Sequence, residues 1–315
     1  MKVTRGYLGD IVRPYPVATI GNFDGHHVGH RVLLQAVVDA ARQAHGTAVV
    51  LTFDPHPGKI LAPHIGLRFL TSPEEKLARF EQAGIDEVVL LEFSETFARL
   101  SPEAFAQDVL NQGLHVKEIF VGQHFAFGYR RAGKIMDLVT LGGRLGFVVH
   151  PVLPAMVEGE VISSTRIRQL IQAGNVSQAA ILLGRQYAIT GVVCQGARRG
   201  QALGWPTANL RLPPDRVVPP DGVYATVTVV NQQRYDSVAY IGTRPTFDAG
   251  ERLLEAYLLD GTQELYGQPI SVEFVQRVRG DMQFDGGDTL SHQIARDVAS
   301  ARMMLRQHHE AMRER

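Results

Sequence analysis

Two groups of residues have the types and spacing for phosphate chemistry. The first is Gly21-Asn22-Phe23-Asp24-Gly25-His26-His27-Val28-Gly29-His30, between an apolar run, Val17–Ile20, and a helical pattern, Val28–Ala44. The helix stripe is Val32, Leu33, Ala36, Val37 and Ala40. A helix N-terminus offers unpaired N–H groups and the positive end of its dipole to an anion. His27 and His30, three apart, can share one face of that first turn, and Gly29 lets a ligand approach the backbone closely. The arrangement suits a phosphate whose charge grows during a reaction. A helix-capping or surface metal role is the plainer reading of the pair taken alone. A second helix start, Ile162-Ser163-Ser164-Thr165-Arg166-Ile167-Arg168, adds hydroxyls and arginines, although Ser-Ser-Thr alone is an ordinary cap.

The second group is Gly204-Trp205-Pro206-Thr207-Ala208-Asn209-Leu210, preceded by the loop Gly196-Ala197-Arg198-Arg199-Gly200. That loop supplies backbone N–H groups and arginines without a lysine. Thr207 and Asn209 are two apart, so on an extended strand both point the same way. A hydroxyl beside an amide oxygen makes suitable hard ligands for Mg²⁺.

The chain-wide counts constrain what these groups can serve. The 315 residues carry 32 Lys+Arg against 32 Asp+Glu, which argues against a nucleic-acid binder working through a broad basic face. One cysteine, Cys194, excludes an intramolecular disulfide framework and a cysteine-rich zinc site, and reads as strand core. All five lysines lie at or before Lys134, and neither Gly-x-x-x-x-Gly-Lys-Ser/Thr nor Gly-x-Gly-x-x-Gly occurs. A phosphorylated ligand in the second half must therefore meet backbone amides, arginines or a metal. No basic-then-apolar leader and no apolar run near 18 residues is present. The expectation is a soluble, cytoplasmic protein without membrane or nucleic-acid partners, its oligomeric state left open, a homo-oligomer included.

The elements that must position these residues fall into two textures. Val17–Ile20, Thr47–Phe53, Glu87–Phe93, Lys117–Val121 and Gly146–Pro151 read as strands alternating with helices. Two of those helices open on Ser72-Pro73-Glu74-Glu75 and Ser101-Pro102-Glu103. This predicts a Rossmann-like α/β domain with a parallel sheet covered on both faces. Ser163–Ala173 and Val176–Leu183 close it. After Gly184, Gln186–Cys194, Gly222–Val230, Arg234–Ile241, Leu253–Asp260 and Ile270–Arg277 read as an antiparallel β-barrel, with a helix from Thr289 to about Arg306 packed on it. The boundary is placed so that residues 1–185 form the first domain and 186–315 the second.

His27-Val28-Gly29-His30 resembles the His-x-Gly-His signature of class I nucleotidylyltransferases, and Ile162–Arg168 their Ile-Ser-Ser-Thr-x-x-Arg signature. Ile20–His30, Phe53-Asp54-Pro55-His56-Pro57 and Val121-Gly122-Gln123-His124-Phe125-Ala126-Phe127-Gly128 resemble the bacterial bifunctional riboflavin kinase/FMN adenylyltransferases, or FAD synthetases. Pro206-Thr207-Ala208-Asn209 is similar to the riboflavin kinase motif. That similarity continues through Gly222-Val223-Tyr224, Ile241–Phe247, Leu265-Tyr266-Gly267 and Phe284.

The resemblance implies two reactions: riboflavin to FMN in the barrel, and ATP + FMN to FAD and pyrophosphate in the α/β domain, with Mg²⁺ accompanying the ATP. It implies that His27 and His30 act on the ATP phosphates, with Ser164, Thr165 and Arg168 gripping them from the other side. Gly21, Asn22, Asp24 and Gly29 shape that loop. Glu255 matches the catalytic glutamate of the kinase. Gly196, Arg199 and Gly200, with Thr207 and Asn209, match its ATP and Mg²⁺ region. His56, His124, Phe125, Phe127 and Arg279 are flavin-side candidates, with aromatic core the readier reading of the phenylalanines and a solvated arginine the plain alternative for Arg279. Three positions depart from the family pattern. His124 stands where Asp or Asn is usual, Gln195 where His is frequent, and Gln201 where Arg is frequent. The departures at His124 and Gln201 keep open a chain with one active module and one regulatory flavin- or nucleotide-binding domain.

Overall fold

In the computed structural model the described residues are 1–6, 11–157, 159–194, 204–243, 252–260, 265–284 and 286–314. The chain divides by contact into two compact units, Met1–Ser164 and Thr165–Arg315.

The first unit is an α/β layer structure. Its strands are β1 (Lys2–Arg5), β2 (Pro16–Ile20), β3 (Thr47–Phe53), β4 (Glu87–Leu91), β5 (Glu118–Gly122) and β6 (Val148–Val152). They form one parallel sheet in the order β1-β4-β3-β2-β5-β6. The main helices are α1 (Val28–Gln43), α2 (Pro57–Leu61), α3 (Pro73–Gln82) and α4 (Ile135–Leu145), with short helical turns at Glu95–Ala98 and Pro102–Ala104, the latter running into a π-helical stretch at Phe105–Gly113. The central strands read as continuous apolar runs because both faces are covered. Ala48 and Val50 of β3 pack toward Leu34, Val37 and Phe80 of α1 and α3. Val49 and Leu51 face Val109, Leu110 and Leu138 on the other side. Chain order turns one way from β2 to β3 and the other way to β5. The loop after β2 therefore lies at the switch point, outside the carboxyl ends of the strands, where α/β sheets bind ligands.

β1 was not anticipated. It is an edge strand with three of its four residues exposed, so it carries no apolar run. Its Thr4 hydroxyl donates to Glu87 Oε1 (2.6 Å), and Arg13 donates to the same carboxylate through Nε (2.8 Å) and a terminal nitrogen (2.9 Å). Burial raises the Glu87 pKa, but these hydrogen bonds and the Arg13 charge outweigh it, so the net shift is downward. A carboxylate with a lowered folded-state pKa contributes stability that is complete above the ordinary glutamate range and is lost as pH falls through the lowered value. Glu87→Gln is expected to flatten the acid side of the stability profile between about pH 3 and 6, read as thermal unfolding midpoint against pH.

The second unit contains α5 (Ser164–Gln172, from its second residue), α6 (Val176–Leu183), a barrel and a long terminal helix, α7 (Gly287–Arg313). The barrel strands are β7 (Tyr187–Cys194), β8 (Ala208–Arg211), β9 (Gly222–Val230), β10 (Gln233–Thr243), β11 (Arg252–Leu258) and β12 (Pro269–Gly280). They close in the order β7-β8-β11-β10-β9-β12, every pair antiparallel. Alternation along β9 puts Val223, Ala225 and Val227 against Ala301 and Leu305 of α7. The opposite face carries Tyr224, Thr226 and Thr228, all fully buried. The two threonine hydroxyls there each lie 2.8 Å from Ser237 Oγ, which satisfies polar groups that water cannot reach. The expected α/β domain and antiparallel barrel with terminal helix are both present.

Candidate active sites

The first site grows from β2. Its last residue leads into Gly21, whose N–H donates to Leu51 O (3.1 Å). Phe23 and His26 are non-glycine residues in the left-handed region (φ 51° and 43°), with Gly25 also there at 82°. That strain is held by Asp24, which is buried. Its carboxylate accepts the N–H of Leu70 (3.0 and 3.1 Å), the N–H of Thr71 (3.2 Å) and the Thr71 hydroxyl (3.2 Å). Asp24 thus shapes the loop by tying it to the segment ahead of α3. Ser164 Oγ donates to Asp24 O (2.8 Å), which brings the second signature's middle hydroxyl onto the same loop. Thr165 and Arg168 follow on α5 within the second unit, Thr165 exposed and Arg168 half-buried.

His27 is the N-cap of α1, and its Nδ1 accepts the N–H of His30 (3.2 Å). An accepting Nδ1 places the neutral ring's proton on Nε2. The two imidazoles stack with centroids 3.5 Å apart and planes 18° off parallel. Gly29 makes that possible, because a Cβ there would stand 3.3 Å from His27 Cε1 and Nδ1. Burial first, then His27 and His26, hold the His30 pKa well below 6.5, so the free site presents a neutral imidazole. His30 Nδ1 and Asn22 Oδ1 are buried and lack a hydrogen-bond partner among the described residues. The N–H of the neutral His30 ring, if carried on Nδ1, could donate to an anionic ligand beside the helix N-terminus, whereas Asn22 Oδ1 accepts and calls for a donor on the ligand.

Beside this loop is a cleft of about 700 Å³, lined among others by Gly21, Asn22, Phe53, His124, Phe125 and Phe127. Phe125 and Phe127 stack at 5.6 Å and 9°, with Phe127 6% exposed, so one pair serves both core and cleft wall. His124 is exposed at the cleft. His56 is instead the cap of α2, its Nδ1 accepting the N–H of Gly58 (2.9 Å), while the next residue, Pro57, lines the cleft. Arg130 and Arg131 also line it, both at positive φ (53° and 59°). Sequence reasoning passed over these two arginines; the signal was the dibasic pair of Gly128-Tyr129-Arg130-Arg131.

The second site lies across one face of the barrel. Register places Asn209 opposite Glu255, Glu255 opposite Tyr240, Tyr240 opposite Val223, and Val223 opposite Arg279. Paired residues on neighbouring strands share a face. Thr207, just before β8, donates through Oγ1 to Glu255 Oε2 (3.3 Å), and Asn209 Nδ2 donates to Thr207 O (3.3 Å). The three predicted residues are therefore together. Asn209 is only 3% exposed, so its amide is positioned by the fold. A hydroxyl, an amide oxygen and a carboxylate form an all-oxygen donor set that fits Mg²⁺ sharing phosphate oxygens of a ligand. Among the described residues no cluster of three or more His, Cys, Asp or Glu could hold a metal by itself. Gly196, Arg199 and Gly200 lie outside the described residues.

Tyr240 was not anticipated. Its hydroxyl donates to Asp281 (2.9 Å), and burial followed by that hydrogen bond pushes its pKa far up, so it is a phenol at neutral pH. Gly242 is required beside it, since a Cβ there would lie 2.1 Å from the phenol oxygen. Arg279 is not solvated. It donates to the buried carboxylate of Asp297 on α7 through Nε (3.0 and 3.1 Å) and a terminal nitrogen (2.8 Å), with Phe284 5.7 Å beneath it. Asp297→Ala would leave that cation unpaired and is expected to cost about 3 kcal/mol of stability, measurable by denaturant unfolding.

Comparison with known proteins bears on both sites. The FAD synthetase family model matches residues 13–166, and the riboflavin kinase family model matches residues 183–305. The chain is 38% identical to the bifunctional riboflavin kinase/FMN adenylyltransferase of Escherichia coli K12 over 305 residues, covering 96% of this chain and 97% of the relative. The Bacillus subtilis protein of the same name is 35% identical over 290 residues, covering 90% and 91%. A crystal structure described as a macrolide-efflux protein from Streptococcus pneumoniae superposes with TM-score 0.86 at 33% identity, covering 96% of this chain and 99% of that one. Matches of this length on both halves mean that the chain belongs to the family of bifunctional riboflavin kinase/FMN adenylyltransferases.

Proposed function

We propose that this chain makes FAD from riboflavin in two ATP-dependent steps, with residues 186–315 phosphorylating riboflavin to FMN and residues 1–185 adenylylating FMN. The observation that supports it most is that each constellation falls in the matching family region. His27 and His30 lie within residues 13–166, and Thr207, Asn209 and Glu255 within 183–305. The substrates are small molecules, and we propose a cytoplasmic enzyme without nucleic-acid or membrane partners; no helix among the described residues is long and apolar enough to cross a membrane.

In the kinase step the terminal ribityl hydroxyl of riboflavin attacks the γ-phosphorus of ATP, and the γ-phosphorus bond to the bridging oxygen of ADP breaks. Glu255 orients the hydroxyl and accepts its proton late, because a primary alcohol is too weak an acid to lose it early. Thr207 and Asn209 would hold Mg²⁺, which when bound neutralises phosphate charge. The family resemblance assigns Gly196, Arg199 and Gly200 to the ATP phosphates and Arg279 to the flavin side.

In the adenylylation step an FMN phosphate oxygen attacks the α-phosphorus of ATP, and pyrophosphate leaves. No covalent bond to the protein forms, so the protein contributes position and charge stabilisation. The N–H groups of α1 and the proton on His27 Nε2 meet the phosphates, with His30 completing the pair. Ser164, whose hydroxyl bonds the first loop, meets the phosphates from the second helix start, a role that the family resemblance extends to Thr165 and Arg168. Gly21 and Asn22 shape the nucleotide side, and the cleft lined by His124, Phe125 and Phe127, with His56 capping the adjoining α2, accommodates the flavin.

Incubation with riboflavin, ATP and Mg²⁺, followed by chromatography, is expected to give FMN and then FAD. If neither appears, the reading is wrong; FMN alone, or FAD only from supplied FMN, leaves one active module. Gly29→Ala is expected to displace the His27 ring by a few tenths of an ångström and to slow FAD formation about tenfold, with riboflavin phosphorylation unchanged in the same preparation.

A further inference from the structure

Lys76 is a cation that neither reaction described above uses. It is the fourth residue of α3, in the helix's first turn. The four hydrogen bonds to Asp24 and a fifth from Gly25 N to Thr71 Oγ1 (3.2 Å) fasten residues 70–71 to the loop after β2. Ser72 then opens α3 with a capping box, so the first turn of α3 stands beside that loop with little freedom. From there Lys76 Nζ donates to Thr52 Oγ1 (3.3 Å), near the carboxyl end of β3 and next to the switch point. Thr52 is fully buried. Burial depresses the lysine pKa, and the charges of Asp24 and Asp54 only partly oppose it.

A desolvated ammonium with a neutral hydroxyl as its hydrogen-bond partner is unfavourable in the free protein. The arrangement makes sense when an anion arrives. Around the first loop itself the positive charge is small: His30 is neutral, the α1 N-terminus contributes only partial charge, and Asp24 is an acid, so the full cation assigned above to the phosphates is Arg168 alone. A bound polyphosphate carries several negative charges, and a lysine's four-carbon stem can carry its ammonium a few ångströms toward them.

We infer that Lys76 is a direct ligand of the ATP phosphates in the N-terminal site, its ammonium leaving Thr52 for the polyphosphate when nucleotide enters. This rests on the adenylyltransferase reading. No bond to Lys76 is made or broken, and the ammonium keeps its proton throughout.

The test uses the full-length chain with Lys76→Met and Lys76→Arg, measuring FAD formation from FMN and FMN formation from riboflavin on the same preparations. Lys76→Met is expected to lower kcat/KM for ATP in FAD formation about 100-fold, with riboflavin phosphorylation within about twofold of the parent. Lys76→Arg is expected to recover at least about tenfold of that loss, since it restores the charge if not the shape. The Lys76→Met chain is expected to unfold at the same or a higher temperature, because an under-compensated buried charge has been removed. FAD formation by Lys76→Met within about threefold of the parent overturns the inference. So does an arginine variant no better than methionine, or a methionine variant that unfolds earlier or loses both activities, each of which marks a structural lysine. If the parent chain itself forms no FAD, the adenylyltransferase reading falls and this inference with it, an outcome visible before any variant is made.

Discussion

Glu255→Gln in the full-length chain is expected to lower riboflavin phosphorylation by about 10²–10⁴-fold while FMN adenylylation, assayed with supplied FMN, continues at the parent rate. The geometry makes glutamine the informative change. Glu255 sits in β11 opposite Asn209 and Tyr240, and its Oε2 accepts the Thr207 hydroxyl. The amide oxygen of glutamine can still accept that hydrogen bond, so the local packing and the Thr207–Asn209 arrangement should survive. A neutral amide cannot take a proton from the ribityl hydroxyl, and it withdraws one negative charge from the donor set proposed for Mg²⁺. Glu255→Ala would remove the hydrogen bond as well, and a larger effect there would measure orientation rather than proton acceptance. Retention of more than about a tenth of the phosphorylation rate by Glu255→Gln would remove Glu255 from the role of base. Loss of both activities in a folded protein would argue against separate sites.

The parts of this molecule that were legible in the sequence are those where local rules and tertiary structure agree. β3 (Thr47–Phe53), α6 (Val176–Leu183) and β9 (Gly222–Val230) have the bounds that apolar pattern and flanking turns indicate. Ser72-Pro73-Glu74-Glu75 folds into the capping box its spacing announces. The Thr207, Asn209 and Glu255 grouping was legible only in part. Spacing places Thr207 and Asn209 on one side of a strand, but nothing local puts Glu255 opposite them; that depends on the β8–β11 register, set by barrel closure. β1 escaped notice because an exposed edge strand needs no apolar pattern. The ion pair of Arg279 was not legible for the complementary reason, since its partner Asp297 lies 18 residues away on a helix whose packing face is decided by the barrel. Lys76 reads in sequence as an ordinary helix-surface lysine between Glu75 and Leu77. Only the Asp24 hydrogen bonds, which dock α3 to the first loop, turn it toward Thr52.

The second large effect concerns His27 and His30. The double change to alanine is expected to reduce FAD formation from FMN by about 10³-fold or more, with riboflavin phosphorylation preserved. The two single changes should each lose nearly as much as the pair, because the rings act as one object. They stack at 3.5 Å, and His27 Nδ1 holds the N–H of His30. His27→Ala also removes the cap of α1, worth about 1 kcal/mol, so His27→Asn is the better single variant. Asparagine caps a helix well but has no ring to stack on His30. If His27→Asn kept the parent rate of FAD formation, the cap would be the whole contribution of His27 and the phosphate role would be lost. The proton inventory gives an independent check. Burial, then His27 and His26, keep the His30 pKa well below 6.5 in the free protein. A lowered histidine pKa means that the ring is neutral above its ordinary range and takes a proton only as pH falls through the lowered value. Since kcat/KM reports groups in the free enzyme, its profile for FAD formation should show no limb from His30 between pH 6.5 and 8. A limb centred in that window that vanishes in His30→Ala would mean that the stacked pair binds ATP as a cation, and the neutral-donor account of this site would have to be replaced.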